Sequence, residues 1–288
     1  MMRKIKFTIN RKPLEQIYIS FLRPILEYSC IVWDGCTQYE KDSLERIQHE
    51  AARIVTGLTR STSIRKLYIE LGWLSLENRR LYQKLVIAYK VTNSQTPDFL
   101  NNLFPDTVGL RTPYNLRNNN NYSVLNARTQ LFRNSFIPSC ISAWNNIPEH
   151  IRHSGTVTIF KRQLINHFFK TNTIPSYYLT GPRFLSVMHA RLRNGCSNLN
   201  HDLFVNKLKL YSTCENCGHE KEDSEHYFMQ CPTYLNDRVS LFHATRHLHP
   251  LSVNTLLYGR DTLSDDENNS IFNNVQSFIK NSKRFEKH

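Results

Sequence analysis

Apolar residues recur every three to four positions along much of the chain, the spacing that places them on one face of an α-helix. The clearest stripe lies in residues 37–57. A Thr37-x-x-Glu40 capping-box pattern stands at the start of this stretch, and Gly57 is a natural helix end. Because the same spacing returns in several later stretches, we predict a mainly α-helical protein.

Proline-rich and asparagine-rich stretches divide this helical pattern into segments. Pro97, Pro105 and Pro113 precede a run of four asparagines at 118–121, a composition typical of irregular surface loops. A second stretch with proline and glycine, at 173–182, marks another boundary. The predicted segments are a helical domain at 1–92, an irregular connector at 93–130, a helical segment at 131–180, a cysteine-rich domain at 181–250 and a tail with one helix at 251–288.

Two apolar stretches are expected to lie inside the protein. Residues 25–33 are apolar nearly all round, so we expect them to be buried. A helix is predicted to begin at Arg183 and to end at Asn194. Its inward-facing residues are expected to be Phe184, Leu185, Met188 and Leu192. A hydrophobic content of 40% is sufficient for a core of this kind.

A C-x2-C-x8-H-x4-C motif concentrates metal-binding side chains in the last third of the chain. Three thiols and one imidazole form a donor set found in many closed structural zinc sites. The predicted Zn²⁺ ligands are Cys214, Cys217, His226 and Cys231. His219 is the alternative imidazole, but it lies only two residues after Cys217 and would bind with strained geometry. The competing interpretation is a set of unrelated thiols in a chain with seven cysteines and twelve histidines.

The sequence around this motif predicts how its ligands come together and what they do. We expect Gly218 to free the backbone after the first two cysteines, and 227–229 to form one helical turn between His226 and Cys231. The stretch 215–225 carries five acidic residues against one lysine, so it would repel phosphate. With four protein ligands, the metal is expected to have a structural role. It would stabilise the fold of a small domain and position the basic helix that precedes it.

Positive charge is concentrated in the first 180 residues. The net charge is +13, with 24 Lys or Arg against 12 Asp or Glu in residues 1–180 and 13 against 12 in residues 181–288. A strongly basic chain favours a polyanionic partner, for which RNA or DNA is the usual candidate. We expect contacts mainly with the phosphate backbone, which depend on charge rather than on base sequence.

Basic side chains on the predicted helices are the candidates for these phosphate contacts. Several lie off the apolar stripes of their helices, and some lie next to Tyr82, a ring that can stack on a base. The candidates are Arg46, Arg53, Arg79, Arg80, Lys84, Arg183, Arg191 and Arg193. The alternative is that these side chains form an ordinary solvated surface.

Two other groups of titratable residues are given structural interpretations. Three histidines between positions 243 and 249 straddle a predicted helix end, so we expect them to face solvent rather than a metal. The acidic residues 265–267 follow Ser264 at the start of an apolar periodic run. Ser264-x-x-Glu267 is a capping-box pattern, and acids are favourable at the start of a helix.

The sequence lacks the motifs of several common enzyme classes. It has no Walker loop, nucleophile elbow or HExxH motif, and no carboxylate pair suited to two Mg²⁺ ions, so we expect a non-catalytic protein. No apolar run approaches the length of a bilayer span, and we expect no signal peptide. The odd number of cysteines favours a reducing compartment. The expected location is intracellular, in the nucleus or cytoplasm, without a membrane partner.

Four motifs resemble, in order, parts of one protein family. Residues 17–33 (Ile-Tyr-Ile-Ser-Phe-Leu-Arg-Pro-Ile-Leu-Glu-Tyr-Ser-Cys-Ile-Val-Trp) and 44–57 resemble the region just after the catalytic palm in reverse transcriptases of non-LTR (LINE-type) retrotransposons. The block 135–161, with its Ala-Trp-Asn-Asn-Ile-Pro sequence, is similar to a recurrent C-terminal signature of those elements. The cysteine motif at 214–231 resembles the zinc-binding module that ends many such polyproteins.

The resemblance implies a function that the residues alone do not. It implies a thumb-like helical bundle at 1–92, which would pack on a template–primer duplex, and a small zinc-stabilised helical domain that helps to hold RNA or DNA. The palm with its catalytic aspartates, the fingers and the endonuclease have no counterpart in this sequence, so polymerase activity is not transferred. The first interpretation is therefore a nucleic-acid-binding C-terminal fragment. The alternatives are a protein-interaction module that once packed on the missing palm and fingers, or a truncated remnant without selected function.

Overall fold

α-Helices joined by short turns account for most of the fold. The computed structural model describes residues 2–111, 114, 118–169 and 174–286. Pro113, one of the predicted connector prolines, lies outside the described residues. Across the described ranges the chain forms no β-strand, and its one isolated bridge joins Thr107 to Tyr122. The mainly α-helical fold class is therefore confirmed.

The first nine α-helices lie between residues 2 and 111. Their bounds are α1 Met2–Ile5, α2 Arg11–Ile17, α3 Arg23–Glu27, α4 Cys30–Trp33, α5 Gln38–Thr56, α6 Ile64–Leu71, α7 Leu76–Thr92, α8 Asp98–Asn101 and α9 Val108–Arg111. A π-helical turn at Tyr18–Leu22 joins α2 to α3. Pro24, which has no N–H to donate, is the second residue of α3 and closely follows this π-helical turn.

Nine more α-helices lie in the described parts of residues 130–281. Their bounds are α10 Gln130–Asn134, α11 Phe136–Asn145, α12 Glu149–Arg152, α13 Val157–Leu164, α14 Arg183–Asn194, α15 Asn200–Val205, α16 Leu235–Thr245, α17 Val253–Tyr258 and α18 Asp265–Asn281. Short π-helical turns occur at Ile165–Phe169 and His226–Gln230, and 3₁₀ turns at Ser176–Leu179 and Pro232–Tyr234. None of the described helices combines the length and apolar character that a bilayer crossing requires.

Side-chain caps explain where two long amphipathic helices, α5 and α18, begin. At the start of α5, the backbone N–H of Thr37 donates to the Glu40 carboxylate at 2.9 Å, and the N–H of Glu40 reaches the Thr37 hydroxyl at 3.4 Å. Ser264 and Glu267 form the same reciprocal pair at the start of α18. Both capping boxes predicted from the sequence are confirmed, and a cap of this kind contributes about 1 kcal/mol.

The described helices group into two compact units, each built from non-contiguous stretches. The first unit comprises Met1–Ser20, His49–Gly72 and Thr173–His288, and the second comprises Phe21–Gln48 and Trp73–Asn172. The segments predicted from the sequence are contiguous, so they describe changes of composition along the chain rather than these units.

The core of the first unit forms around α18, which packs against α14, α16 and α17. Tyr227 is fully buried in this core, with its ring centroid 5.1 Å from that of Phe278. Its hydroxyl shares a hydrogen bond of 2.7 Å with the Ser282 hydroxyl, which satisfies a polar group that burial would otherwise destabilise. The cysteine-rich stretch is therefore anchored to the C-terminal helix by the residue that follows His226.

The core of the second unit forms between α7, α11 and α13. Tyr89 stacks on Phe160 with ring centroids 4.4 Å apart, and Trp144 lies 6.0 Å from the same phenylalanine ring. The side chain of Asn145 accepts from the backbone N–H of Tyr122 at 3.0 Å and donates to its carbonyl at 2.9 Å. The Trp-Asn pair therefore builds the core and also anchors part of the connector.

The apolar stretch 25–33 is not buried as the sequence predicted. Ile25, Tyr28 and Val32 expose 74%, 78% and 79% of their surface. The stretch forms two short helices because Ser29, between α3 and α4, adopts a left-handed conformation with φ of 48°. Since the break interrupts the helical periodicity, the apolar residues do not share one inward face.

The inward face predicted for α14 is correct for three of its four residues. Leu185, Met188 and Leu192 are buried in the core of the first unit. Phe184 is the exception, because its ring is about half exposed at the surface of this unit.

Candidate metal centre

Four metal-binding side chains meet in one cluster of the first unit. The ligand atoms of Cys214, Cys217, His226 and Cys231 all lie within 4.8 Å of one another. The sulfur of Cys231 is 4.0 Å from that of Cys214 and 3.8 Å from that of Cys217, and Cys217 Sγ is 3.3 Å from His226 Nε2. In a tetrahedron with zinc–sulfur bonds of about 2.3 Å, the sulfur–sulfur edges are about 3.8 Å. The cluster therefore has the size and the donor set to hold a metal ion.

A tight turn positions the first two cysteines. The N–H of Gly218 donates to the carbonyl of Cys214 at 2.9 Å, and the N–H of Cys214 donates to the carbonyl of His219 at 2.8 Å. Gly218 has a φ of 75°, in the left-handed region that residues with a side chain disfavour. The backbone freedom predicted for Gly218 is confirmed, and it allows the chain to reverse so that Cys214 and Cys217 meet.

A π-helical turn positions the other two ligands. The N–H of Cys231 donates to the carbonyl of His226 at 2.8 Å, a bond that spans five residues. In an α-helix, five residues rotate the chain by about 500°, which would place the two side chains about 140° apart. The wider turn brings them together instead. The helical turn predicted between these ligands is confirmed, and its π geometry suits their spacing.

The geometry also decides between the two candidate imidazoles. His226 belongs to the cluster, whereas the ring of His219 stacks on that of His226 with centroids 4.4 Å apart. The N–H of Lys221 donates to Nδ1 of His219 at 3.3 Å, which holds the second ring in place. His219 is therefore a neighbour of the cluster and not one of its four members.

The imidazole of the cluster is ready to bind a cation, whereas a buried thiol would have to lose its proton first. Burial, with a smaller contribution from the charge of His219, lowers the pKa of His226, so its imidazole is neutral and has a lone pair to donate. Burial raises the pKa of Cys214 to about 11. A metal ion would displace the thiol proton and bind the thiolate, which compensates the charge that burial disfavours.

Buried charged groups tie the cluster to the rest of the first unit. The carboxylate of Glu222 is buried and accepts from the Arg284 guanidinium at 2.7 and 2.8 Å, and from the N–H of Asn200 at 2.8 Å. Arg238, also buried, donates to the carbonyl of Cys231 at 2.7 Å. Glu222 therefore fixes the acidic loop to α15 and to the residues after α18.

Three of the predicted phosphate-contacting residues are buried in ion pairs. In the second unit, Asp34 accepts from Arg80 at 2.7 Å and from Lys84 at 2.5 Å. In the first unit, Arg193 donates to Glu70 at 2.5 and 3.0 Å. Separating a buried charge from its partner is strongly unfavourable. In this structure the charges of Arg80, Lys84 and Arg193 therefore stabilise the fold and are not open to a phosphate backbone.

Two further candidates cap the end of α5 within the first unit. Arg183 donates to the carbonyls of Ile54 and Val55, each at 2.6 Å, and Arg191 donates to the carbonyl of Gly57 at 2.9 Å. The last carbonyls of a helix lack intrahelical partners and carry partial negative charge, so guanidinium groups are favourable there. These contacts hold α14 against the end of α5.

The remaining candidates lie nearer the surface. Arg79 forms an ion pair with Glu27. Arg46 is exposed and lies over the ring of Tyr39, 5.7 Å from its centroid. Arg53 is partly buried, 3.6 Å from the Glu50 carboxylate. Arg46 is thus the candidate with the most accessible charge.

The first unit also contains a basic groove that the sequence did not predict. Its volume is about 1010 Å³, and its lining holds six basic residues against the two acidic residues Glu50 and Glu286. The basic residues of this groove are Arg3, Lys6, Arg53, Arg60, Arg183 and Arg191. They come from three separate stretches of the chain, so no local pattern could have indicated that they lie together.

Searches against protein-family models, curated proteins and solved structures found no match. The resemblance to non-LTR reverse transcriptases therefore remains a prediction from sequence motifs. The cysteine–histidine cluster is the site whose chemistry is best defined by geometry.

Proposed function

We propose that the protein is a non-catalytic nucleic-acid-binding protein whose fold is stabilised by a structural Zn²⁺ at Cys214, Cys217, His226 and Cys231. The observation that carries the zinc assignment is the clustering of three thiols and one imidazole at the spacing of a tetrahedron. Zn²⁺ favours this donor set and geometry. Four protein ligands leave no open position for a reacting water, which supports a structural role.

The zinc would hold together two turns that are separate in sequence. One turn carries Cys214 and Cys217, and the other carries His226, Cys231 and the core residue Tyr227. Binding free energy of a structural zinc is folding free energy, because the site does not exist in the unfolded chain. Thiolate ligands persist in a reducing environment, which supports an intracellular location.

Positive charge supports a nucleic-acid partner. The net charge is +13, and the basic groove holds six cations against two carboxylates. Neutralising phosphates releases condensed counterions, so a surface of this kind binds RNA or DNA without regard to base sequence. This function agrees with the resemblance to the C-terminal part of a non-LTR retrotransposon reverse transcriptase, in which the catalytic palm would be a separate part.

The salt dependence of binding tests this function. Fluorescence anisotropy with a short labelled RNA, and with DNA of the same sequence, would give association constants over a range of salt concentrations. Three neutralised phosphates on a single strand correspond to a loss of roughly 20-fold between about 50 and 200 mM salt. An uncharged peptide nucleic acid of the same sequence is the control and is expected not to bind. No binding at low salt, or binding that is independent of salt, would refute the assignment.

A protein-interaction module is the second candidate, and one observation favours it. Ile25, Tyr28 and Val32 in the second unit are large apolar side chains with most of their surface exposed. Neighbouring exposed apolar residues often mark a protein contact. Self-association in sedimentation velocity that is lost in an Ile25→Ser, Val32→Ser variant, without any binding to RNA or DNA, would support this alternative. The matched control is Leu208→Ser, which replaces another exposed apolar residue.

A further inference from the structure

Aromatic and apolar side chains lie inside the basic groove, between its cations. Phe7, Phe184, Val187 and Met188 line the same groove as the six basic residues. Phe184 exposes 47% of its surface, and Phe7 is more exposed still. A groove that only attracted anions would gain nothing from exposed rings, so the rings indicate a ligand with flat apolar surfaces as well as negative charge.

Part of the groove has more positive charge than its own carboxylates neutralise. Arg3 contacts the Glu50 carboxylate at 2.7 Å, and Arg53 lies 3.6 Å from the same group. The hydrogen bond from Arg3, together with the charges of Arg60 and Arg53, lowers the pKa of Glu50. One carboxylate thus faces three guanidinium groups. The excess positive charge is available to an anionic ligand.

The floor of the groove is held in place by close packing of two helices. A Cβ atom at Gly57 would lie only 2.5 Å from Cγ2 of Val187, so the end of α5 lies directly against α14. Hydrogen bonds from Arg183 and Arg191 to main-chain carbonyls at the end of α5 hold the same two helices together. Phe184 follows Arg183 on α14, so its ring is presented by a rigid element rather than by a loop.

We propose that the basic groove binds single-stranded nucleic acid, with phosphates on Arg3, Lys6 and Arg60 and unpaired bases on Phe184 and Phe7. This assignment rests on the proposed nucleic-acid-binding function and names the site and the form of the ligand. Bases can stack on aromatic side chains only when they are free of the duplex, where a double strand offers mainly its backbone. Cations next to exposed rings therefore favour a single strand.

Three probes of equal length separate stacking from charge. They are a labelled single-stranded oligonucleotide, the corresponding duplex, and an abasic strand that keeps the phosphates but lacks the bases. The protein is expected to bind the single strand more tightly than the other two. Phe184→Ala is expected to weaken binding of the single strand about 5- to 150-fold, the range for one lost stacking contact, and to leave binding of the abasic strand unchanged.

Matched variants outside the groove control for general effects. Phe204 is also in the first unit and exposes 46% of its surface, but it does not line the groove, so Phe204→Ala is expected to bind like the wild type. Arg60→Gln is expected to weaken binding of both the single strand and the abasic strand, and to lower the salt slope by about 0.7. Arg246→Gln, an exposed arginine outside the groove, is its control. Circular dichroism would establish that each variant folds.

The outcomes distinguish failure of the groove assignment from failure of the proposed function. Salt-dependent binding that is equal for single strand and duplex would overturn the groove assignment alone. The same conclusion would follow if Phe184→Ala and Phe204→Ala bound the single strand alike. Absence of binding to all three probes would overturn both the groove assignment and nucleic-acid binding.

Discussion

Replacing Glu70 with glutamine is expected to destabilise the first unit strongly, because the change leaves two buried guanidinium groups without a counter-charge. The Glu70 carboxylate accepts from Arg11 at 2.7 Å, from Arg193 at 2.5 Å and from the Asn194 amide at 3.1 Å. Glutamine has nearly the same shape, so packing changes little while the charge is lost. Removing one partner of a buried ion pair costs about 3–5 kcal/mol.

The pH dependence of stability gives a second measure of the same interaction. Burial alone raises the pKa of Glu70, but the charges of Arg193 and Arg11 outweigh it and lower the pKa from 4.5 to about 2. A group whose pKa is lowered by folding contributes stability that is present above its unfolded pKa and is lost as the pH falls through its folded pKa. The decrease to about 2 corresponds to about 3 kcal/mol, lost between about pH 4.5 and pH 2.

Urea unfolding followed by far-UV circular dichroism measures both effects. At pH 7, Glu70→Gln is expected to be about 3–5 kcal/mol less stable than the wild type. Glu286→Gln removes an exposed carboxylate of the same unit and is expected to change stability by about 0.5 kcal/mol or less. The difference in unfolding free energy between wild type and Glu70→Gln is expected to become smaller below pH 4.5, the ordinary pKa of the carboxyl group, because the wild type loses stability there. Equal stability at pH 7, or a difference that does not change with pH, would refute the reasoning.

Two further substitutions test backbone contacts. Gly57→Ala is expected to lower stability by about 1–3 kcal/mol in thermal unfolding, because φ is 74° and the new Cβ would lie 2.5 Å from Val187. Adding Val187→Ala should recover part of the loss, and an undiminished melting temperature in the single variant would contradict the close approach. Asn145→Ala removes both bonds to the Tyr122 backbone, and limited proteolysis is expected to cleave faster near Tyr122. Equal cleavage of Asn146→Ala, which alters an exposed neighbour, would show that these bonds are not responsible.

Local sequence patterns were sufficient for the starts of two long helices and for the cysteine–histidine cluster. The capping residues Thr37 and Ser264 mark the starts of α5 and α18 because a cap depends on residues only three positions apart. The spacing from Cys214 to Cys231 predicted a cluster because both halves of the motif fold as single turns. In each case the physical interaction lies within the stretch that carries the signal.

Features that join distant stretches could not be predicted in the same way. Arg80 and Lys84 were candidates for phosphate contact, yet both are buried because Asp34 approaches from another part of the second unit. The basic groove was missed since Arg3 and Phe184 are far apart in sequence.

The stretch 25–33 was wrongly expected to be buried because nothing in its apolar composition shows the left-handed residue that breaks its helix.

The zinc content of the purified protein tests the central claim most directly. Mass spectrometry under non-denaturing conditions is expected to find one zinc ion per chain in the wild type. The control variant Cys36→Ser, which removes a cysteine outside the cluster, is expected to hold the same amount of zinc. Cys231→Ser is expected to hold no zinc and to melt at a lower temperature. A wild type that neither holds zinc nor gains stability from added zinc would contradict the claim, as would a Cys231→Ser variant with unchanged zinc content and stability.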